Sequence, residues 1–458
     1  MPNPEDLKRP AYRSLAEAVL RAVEAGALKA GDRLPTHRDL AYRLGISVQT
    51  VSRAYEDLIA RGIITGEVGR GTFVRATQGD AKPPFLPDSQ YDRLVDCSIL
   101  KPVCDQIHVD QMRAALSRLG EEMPASAVLS FRPSVALRNS QSSALKWLRL
   151  CGLAARTDSV LLTNGSTSAM TIALMAAASP GDLVVTEEVG HHTLKPLCRY
   201  LGLRLKGLRI DAEGIVPADF DAVCRTNAVR ALFLMPAGLN PTTAVMGLAR
   251  RREICAIAER HDVLMIENDA WGPVQPDRPD PIAALAPDRT FYFTGFSKCI
   301  MPGLRTGYLV APERFEAAVA NRHLVTNWMA TPILAEITSR WIEDGTAARL
   351  LDWQIDALSR RNRLAAEVLS GIDFRASPNG LHVWLPLPEP WTEEEFVAHA
   401  RLNGVAVAPG SSFTLGDRPN PPAVRICIGA ATEEALGRGL ATVARLARSH
   451  PEPALLTI

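Results

Sequence analysis

The sequence predicts an α/β protein: a large domain on a mostly parallel sheet with crossover helices and a smaller C-terminal lobe, preceded by a small helical domain ending in a hairpin. Three observations carry this. After Asp92, short Val/Ile/Leu-rich runs (VLLTN, DLVVTEE, ALFLMP, VLMIEND, FYFTGF) alternate with longer amphipathic stretches such as LARRREICAIAERH, the pattern of buried strands joined by helices. From Ala76 to Gln90 the text ATQGDAKPPFLPDSQ is polar and rich in Pro, with no apolar period, and reads as a linker. The 458 residues also exceed what one core usually organises. The expected domains are 1–76, a linker at 77–92, and 93–458.

The first domain opens with a helix from Tyr12 to Ala25, in which Leu15, Ala18, Val19 and Val23 recur at helical spacing and Gly26 stops the run. In LPTHRDLAYRLGISVQTVSRAYEDLIARG, Thr36 caps a short helix with Leu40, Ala41 and Leu44 inward. Gly45 permits the turn. Ser47 then caps a second helix with Val48, Val51, Tyr55, Leu58 and Ile59 inward, which leaves Gln49, Thr50 and Arg53 outside. Two short helices joined by a Gly turn, with such a set opening the second, suit reading of the major groove. ITGEVGRGTFVR follows as a hairpin whose tip carries Arg70 between Gly69 and Gly71, placed to reach a phosphate or the minor groove.

Composition narrows the functions open to the chain. No apolar run approaches the roughly 18 residues that span a bilayer. MPNPEDLKRP has acidic residues and Pro where a signal peptide needs an apolar stretch, so no membrane role and a cytoplasmic location are expected. The eight cysteines form no C-x-x-C pair, and no metal site is expected. Residues 1–75 hold twelve Lys and Arg against nine Asp and Glu, within a chain of net charge +1. That suits a small DNA-contacting module on a near-neutral body.

In the large domain, Lys298 lies in FTGFSKCIMPGLRTGY, after a predicted strand and before a Pro-Gly turn. A lysine at a strand end in a cleft loses hydration, which lowers its pKa and frees the amine to form a Schiff base with an aldehyde. Arg305 can return to the same pocket and clamp a phosphate. LLTNGSTSAM passes from strand to helix at Asn164-Gly165-Ser166-Thr167, so free N–H groups and hydroxyls there can cradle an anion.

LPTHRDLAYRLGISVQTVSRAY with GRGTFV is similar to the GntR-type winged helix-turn-helix domain, which implies DNA contacts at Arg38, Arg53 and Gly71. Thr36, Ser47, Gln49, Thr50, Ser52, Arg70 and Thr72 join them as candidates. The segments around Gly165, Lys298 and Arg305 resemble, in this order, the fold type I aminotransferases that use pyridoxal 5'-phosphate (PLP). The union of the two resembles the MocR subfamily of regulators. This implies PLP on Lys298, its phosphate on Gly165, Ser166, Thr167 and Arg305, and Asn240 of MPAGLNPTTAVM on the cofactor's 3-oxygen. It also implies Arg425 of AVRICIGAAT for a ligand carboxylate, and a homodimer.

Several positions depart from that pattern. His191 replaces the stacking aromatic, Trp271 replaces a Tyr that donates to the 3-oxygen, and Gly295 replaces a phosphate-binding Ser. Asn268 of IENDAWGP stands where an Asp holds the pyridine proton, unless the neighbouring Asp269 takes that place. A neutral amide leaves the ring a poorer electron sink. The expected function is a DNA-binding regulator that senses a small amino acid or amine through an external aldimine, with no catalytic residues of its own. An active aminotransferase fused to a DNA-binding domain is the alternative.

Overall fold

The structure is a computed structural model that describes residues 10–24, 27–29, 31–60, 63–67, 71–74, 94–137, 140–275, 277–416, 418 and 420–451. It divides into two compact units, Met1–Pro87 and Asp88–Ile458. The expected linker at 77–92 and the hairpin tip with Arg70 lie outside the described residues.

In the first unit, helices Ala11–Glu24, His37–Leu44 and Val48–Ala60 precede an antiparallel pair, Ile64–Glu67 with Gly71–Val74. Thr36 caps the second helix by accepting from the Asp39 N–H at 3.2 Å, and Gly45 ends it in the left-handed region at φ 63°. Leu15, Val19, Leu40, Leu44, Val51, Ala54, Tyr55 and Leu58 form the core. Two expected core residues are outside it: Val48 is 45% and Ile59 48% exposed, and Ala54 is buried instead. At 100° per residue, Val51, Ala54, Tyr55 and Leu58 define one narrow stripe, and Val48 and Ile59 fall on its flank.

The second unit is built on a seven-stranded sheet. Its order is Val160–Thr163, Gly307–Val310, Thr290–Gly295, Leu264–Asp269, Val229–Leu234, Leu183–Glu187, Arg204–Leu208. Only Gly307–Val310 runs antiparallel to its neighbours; it and the edge strand Arg204–Leu208 are the strands that the runs above did not mark. Both faces are buried. Val184, Ala231, Phe233, Leu264 and Ile266 join the core that includes the Ala-rich helix Ser166–Ala177. Their strand neighbours Leu183, Val185, Leu232 and Met265 pack with Ile254 and Ile257 of helix Leu248–Arg260. A period of two with apolar residues on both faces produces the continuous hydrophobic runs.

The smaller lobe holds a four-stranded sheet, Arg375–Ala376, His382–Pro386, Ala423–Cys427 and Ala408–Pro409, with helices Thr346–Val368, Glu393–Leu402 and Glu433–Ala447. Val95–Asp96 pairs in parallel with Val405–Ala406 of this lobe. The chain thus enters the unit through its C-terminal lobe, then runs as a strap, 97–101, toward the end of the large sheet. Gly429 seats the strap, because a Cβ there would fall 2.0 Å from the Lys101 carbonyl oxygen.

Gly429→Ala is therefore expected to destabilise this unit by about 1–3 kcal/mol, the usual cost of overpacking, read as a lower denaturation midpoint with an unchanged m value. An unaltered midpoint would show that the strap does not rest on this contact.

Candidate functional site

At the C-terminal ends of the central strands lies a cavity of about 400 Å³, lined by residues that include Ser166, Thr167, His191, Asn268, Phe293, Lys298 and Arg305. Strand Thr290–Gly295 delivers the chain to Lys298, and Asn268 is the register partner of Phe293 on the adjacent strand. The Lys298 amine donates to the Leu100 carbonyl of the strap. Burial, opposed by Cys427 and reinforced by the charges of Arg425 and Arg305, brings its pKa down to about 8. Free lysine amines are far more fully protonated at neutral pH. This one carries a usable neutral fraction.

One end of the cavity is built for an anion. Gly165, at φ 80°, precedes helix Ser166–Ala177 and caps it with no side chain, so the N–H groups of the first turn and the hydroxyls of Ser166 and Thr167 are open to a ligand. Arg305 lies across this turn, donating to the Asn164 carbonyl at 3.3 Å and the Ser297 hydroxyl at 3.4 Å. A Cβ on Gly165 would come within 3.1 Å of that guanidinium, and one on Gly295 within 2.7 Å of Ser166 Oγ. Gly295 thus leaves room for Ser166, which explains the missing serine. The cradle, the cation and the buried amine fit a phosphorylated aldehyde such as PLP.

His191 forms a wall. Its Nδ1 is 2.9 Å from Thr193 Oγ1 and its ring stacks on His192 with centroids 5.3 Å apart. Burial, with His192 and the Lys298 and Arg425 charges, pushes its pKa down to about 3, so it presents a neutral ring. Asn268 Oδ1 accepts from the Ala270 N–H at 3.1 Å. Its neighbour Asp269 points to the opposite side, ion-paired with Arg278 and accepting from the Tyr292 hydroxyl. Of the two, Asn268 lines the cavity.

Asn240, Trp271 and Arg425 are placed behind the lining. The Trp271 indole donates to the Gly238 carbonyl, which leaves it no proton for a ligand oxygen. Asn240 Oδ1 accepts from Arg425 at 3.0 Å, and the same guanidinium donates to the Ser98 carbonyl at 2.6 Å. Arg425 is 2% exposed and lies over the Phe413 ring; its Nε has no hydrogen-bond partner, and no described carboxylate pairs with it. The strap residues Ile99, Leu100 and Lys101 also line the cavity and were missed by sequence reasoning. Their position follows from a strand pairing between distant segments, which leaves no local signal.

In the first unit, Gln49 and Arg53 are exposed on helix Val48–Ala60, as is Arg38 on the preceding helix, while Ser52 and Thr72 are half-buried. Ser47 accepts from the Thr50 N–H at 3.1 Å and its hydroxyl is 2.8 Å from that of Thr50, so Thr50 serves the helix start. The Arg53 guanidinium lies over the Tyr12 ring, 4.7 Å from its centroid, and the Arg33 side chain packs against Gly71, which adopts φ 121°.

A family model described as aminotransferase class I and II matches residues 107–443, and one described as bacterial regulatory proteins, gntR family, matches residues 11–74. An uncharacterized HTH-type transcriptional regulator of Bacillus subtilis, YdeF, is 26% identical over 97% of this chain and 96% of its own. The HTH-type pyridoxine biosynthesis transcriptional regulator PdxR of Corynebacterium glutamicum is 25% identical over 82% of this chain and 83% of its own. Among solved structures, the kynurenine aminotransferase of Pyrococcus horikoshii, in complex with PMP, superposes with a TM-score of 0.71 at 19% identity, covering 78% of this chain and 91% of that one. No helix among the described residues is long and apolar enough to cross a membrane.

Modification of Lys298 by an amine-reactive aldehyde, trapped with borohydride and located by peptide mass spectrometry, should accelerate as pH rises and level off above an inflection near 8. Below that pH the amine is protonated and inert. An inflection above about 10, the range of a free lysine, would show that the cavity does not tune this amine.

Proposed function

The chain belongs to the class I and II aminotransferase family and carries a gntR-type domain ahead of it, the combination of the MocR subfamily, and from this we propose that it is a PLP-dependent transcription regulator. In this reading the first unit binds an operator in double-stranded DNA, and the second senses a small amino compound. PLP, when bound, supplies an aldehyde that condenses with primary amines. Lys298 is the amine that holds it, and Gly165, Ser166, Thr167 and Arg305 receive the phosphate. His191 offers a ring face, and Arg425 a cation without a carboxylate partner for the effector's acid group. The observation that carries the reading is the buried, low-pKa Lys298 beside an open helix N-terminus, in a chain that also presents Gln49 and Arg53 on an exposed helix.

Sensing is favoured over catalysis by Asn268. PLP, when bound, would supply an electron sink only if its ring nitrogen were kept protonated, and Asn268 is the residue that would face that nitrogen, whereas the binding of an amine at Lys298 would need no such charge. An uncharged amide does not hold that proton. A homodimer acting in the cytoplasm completes the proposal: Leu129, Phe131, Val325 and Trp328 are exposed by 53–85%, and Trp328 donates to the Phe131 carbonyl at 2.9 Å. Apolar exposure of this kind supports burial against a second copy.

Two experiments test this reading. On operators selected from random-sequence DNA at one salt concentration, Arg53→Ala should cost about 1–3 kcal/mol of affinity, and Gln49 substitutions should change the preferred sequence. Equal affinity and preference in wild type and variants would remove the DNA-reading role. In single-turnover assays with the best-binding amino acid, Asn268→Asp should release the keto product roughly tenfold faster than wild type, as a gain of about 1.4 kcal/mol in transition-state stabilisation gives. Release by the wild type at the variant's rate would mean an enzyme.

A further inference from the structure

The cavity has more positive charge than PLP and a simple amine can use. Lys101, Lys298 and Arg305 line it, and among the described residues no Asp or Glu does. Arg305, with Ser166 and Thr167, is matched to a phosphate, and Lys298 to the aldehyde. Two cations remain. Arg425, behind the lining, is buried without a described carboxylate: two of its nitrogens donate to the neutral oxygens of Ser98 and Asn240, and its Nε has no hydrogen-bond partner. Lys101 has no ion pair or side-chain hydrogen bond among the described residues, although it shares its wall with Ile99, Leu100, Met170 and Phe293.

The backbone that carries Lys101 is also held where it is. Arg425 grips the Ser98 carbonyl and Lys298 the Leu100 carbonyl, Cys427 donates to the Cys97 carbonyl at 2.7 Å, and Gly429 packs on the carbonyl of Lys101 itself. The half-exposed Lys101 thus leaves a held backbone at the cavity wall, and a lysine there with no described counter-charge can pair with an anion that enters. Lys101 also lines a second, neighbouring cavity of about 600 Å³ shared with Arg438 and Asp96. Asp96, though, accepts from the Ser98 N–H and hydroxyl at 2.8 and 2.6 Å, and no ion pair joins it to Lys101 among the described residues.

We propose that the effector is an amino compound with two anionic groups, an amino dicarboxylate, one carboxylate meeting Arg425 and the other Lys101. This rests on the sensor reading above and names the class of its ligand. A monocarboxylic amino acid leaves Lys101 unmatched, and a diamine leaves both cations unmatched.

Two measurements separate this inference from the reading beneath it. In the first, thermal denaturation of the full chain is followed with glutarate or butyrate at equal ionic strength, so that no amine chemistry takes part. Glutarate should raise the midpoint and butyrate should not, and Lys101→Gln should abolish the difference while Lys101→Arg keeps it. In the second, the absorbance of PLP-loaded protein is titrated with L-glutamate, L-2-aminoadipate, L-glutamine and L-norvaline. The acidic ligands should bind at least tenfold more tightly, and Lys101→Gln should remove that advantage without weakening glutamine. If all four perturb the spectrum equally, or Lys101→Gln changes nothing, the dianionic class is wrong and the sensor stands. A Lys101-dependent glutarate effect with no spectral response to any amine would keep the two-anion site and sink the sensor.

Discussion

A primary amine that is to meet an aldehyde at neutral pH has to be kept partly uncharged, and a protein does so by withholding water and crowding the amine with other cations. Lys298 is in that condition, with its pKa brought down to about 8 by burial and by Arg425 and Arg305. Much of the second unit can be read as the means of holding it there. Strand Thr290–Gly295 is buried throughout, so the residues just beyond it emerge at the mouth of the sheet. The strap from the smaller lobe closes over them, and the Leu100 carbonyl accepts the amine proton. The same strap takes a bond from Arg425. One short segment therefore touches both the group that would carry the cofactor and the group that would meet the effector.

The anion cradle obeys a different constraint, that of space. A helix N-terminus attracts negative charge only if the ligand can approach the bare N–H groups. Glycine at 165 and 295 provides that approach, with Arg305 packed against the first and Ser166 against the second. Replacing the expected serine by Gly295 is thus no simple loss of a ligand. The Ser166 hydroxyl occupies the volume that a larger residue at 295 would need.

Elements whose information is local were legible in the sequence. The Thr36 cap, the Gly45 turn and the apolar runs of the central strands rest on neighbouring residues, and each stands where it was read. The stripe of helix Val48–Ala60 was drawn too wide, because apolar side chains on its flank look like core until the opposing helices fix the stripe's centre. The antiparallel strand Gly307–Val310 was not marked, since its run follows directly on the Lys298 turn. Nor could any period reveal the strap, since Val95–Asp96 finds its partner in Val405–Ala406. Trp271 agrees with its reading as a departure from the family's donating Tyr, since its indole is committed to the Gly238 carbonyl.

The adjacency of Asn268 and Asp269 bears on what the wall of this cavity can do. Successive residues of a strand face opposite sides, so a carboxylate one position along is on the wrong face however close it lies in sequence. Asp269 is moreover buried with Arg278 and Tyr292. Turning it toward the cavity would strand the Arg278 guanidinium, and breaking a buried pair from one side costs about 3–5 kcal/mol. A slip of register would also exchange the apolar sets that the two faces of Leu264–Asp269 present to different helices. The uncharged wall at Asn268 is therefore fixed by packing on both sides of the sheet. On that wall the described residues thus present a neutral amide where Asp269 would have presented a charge.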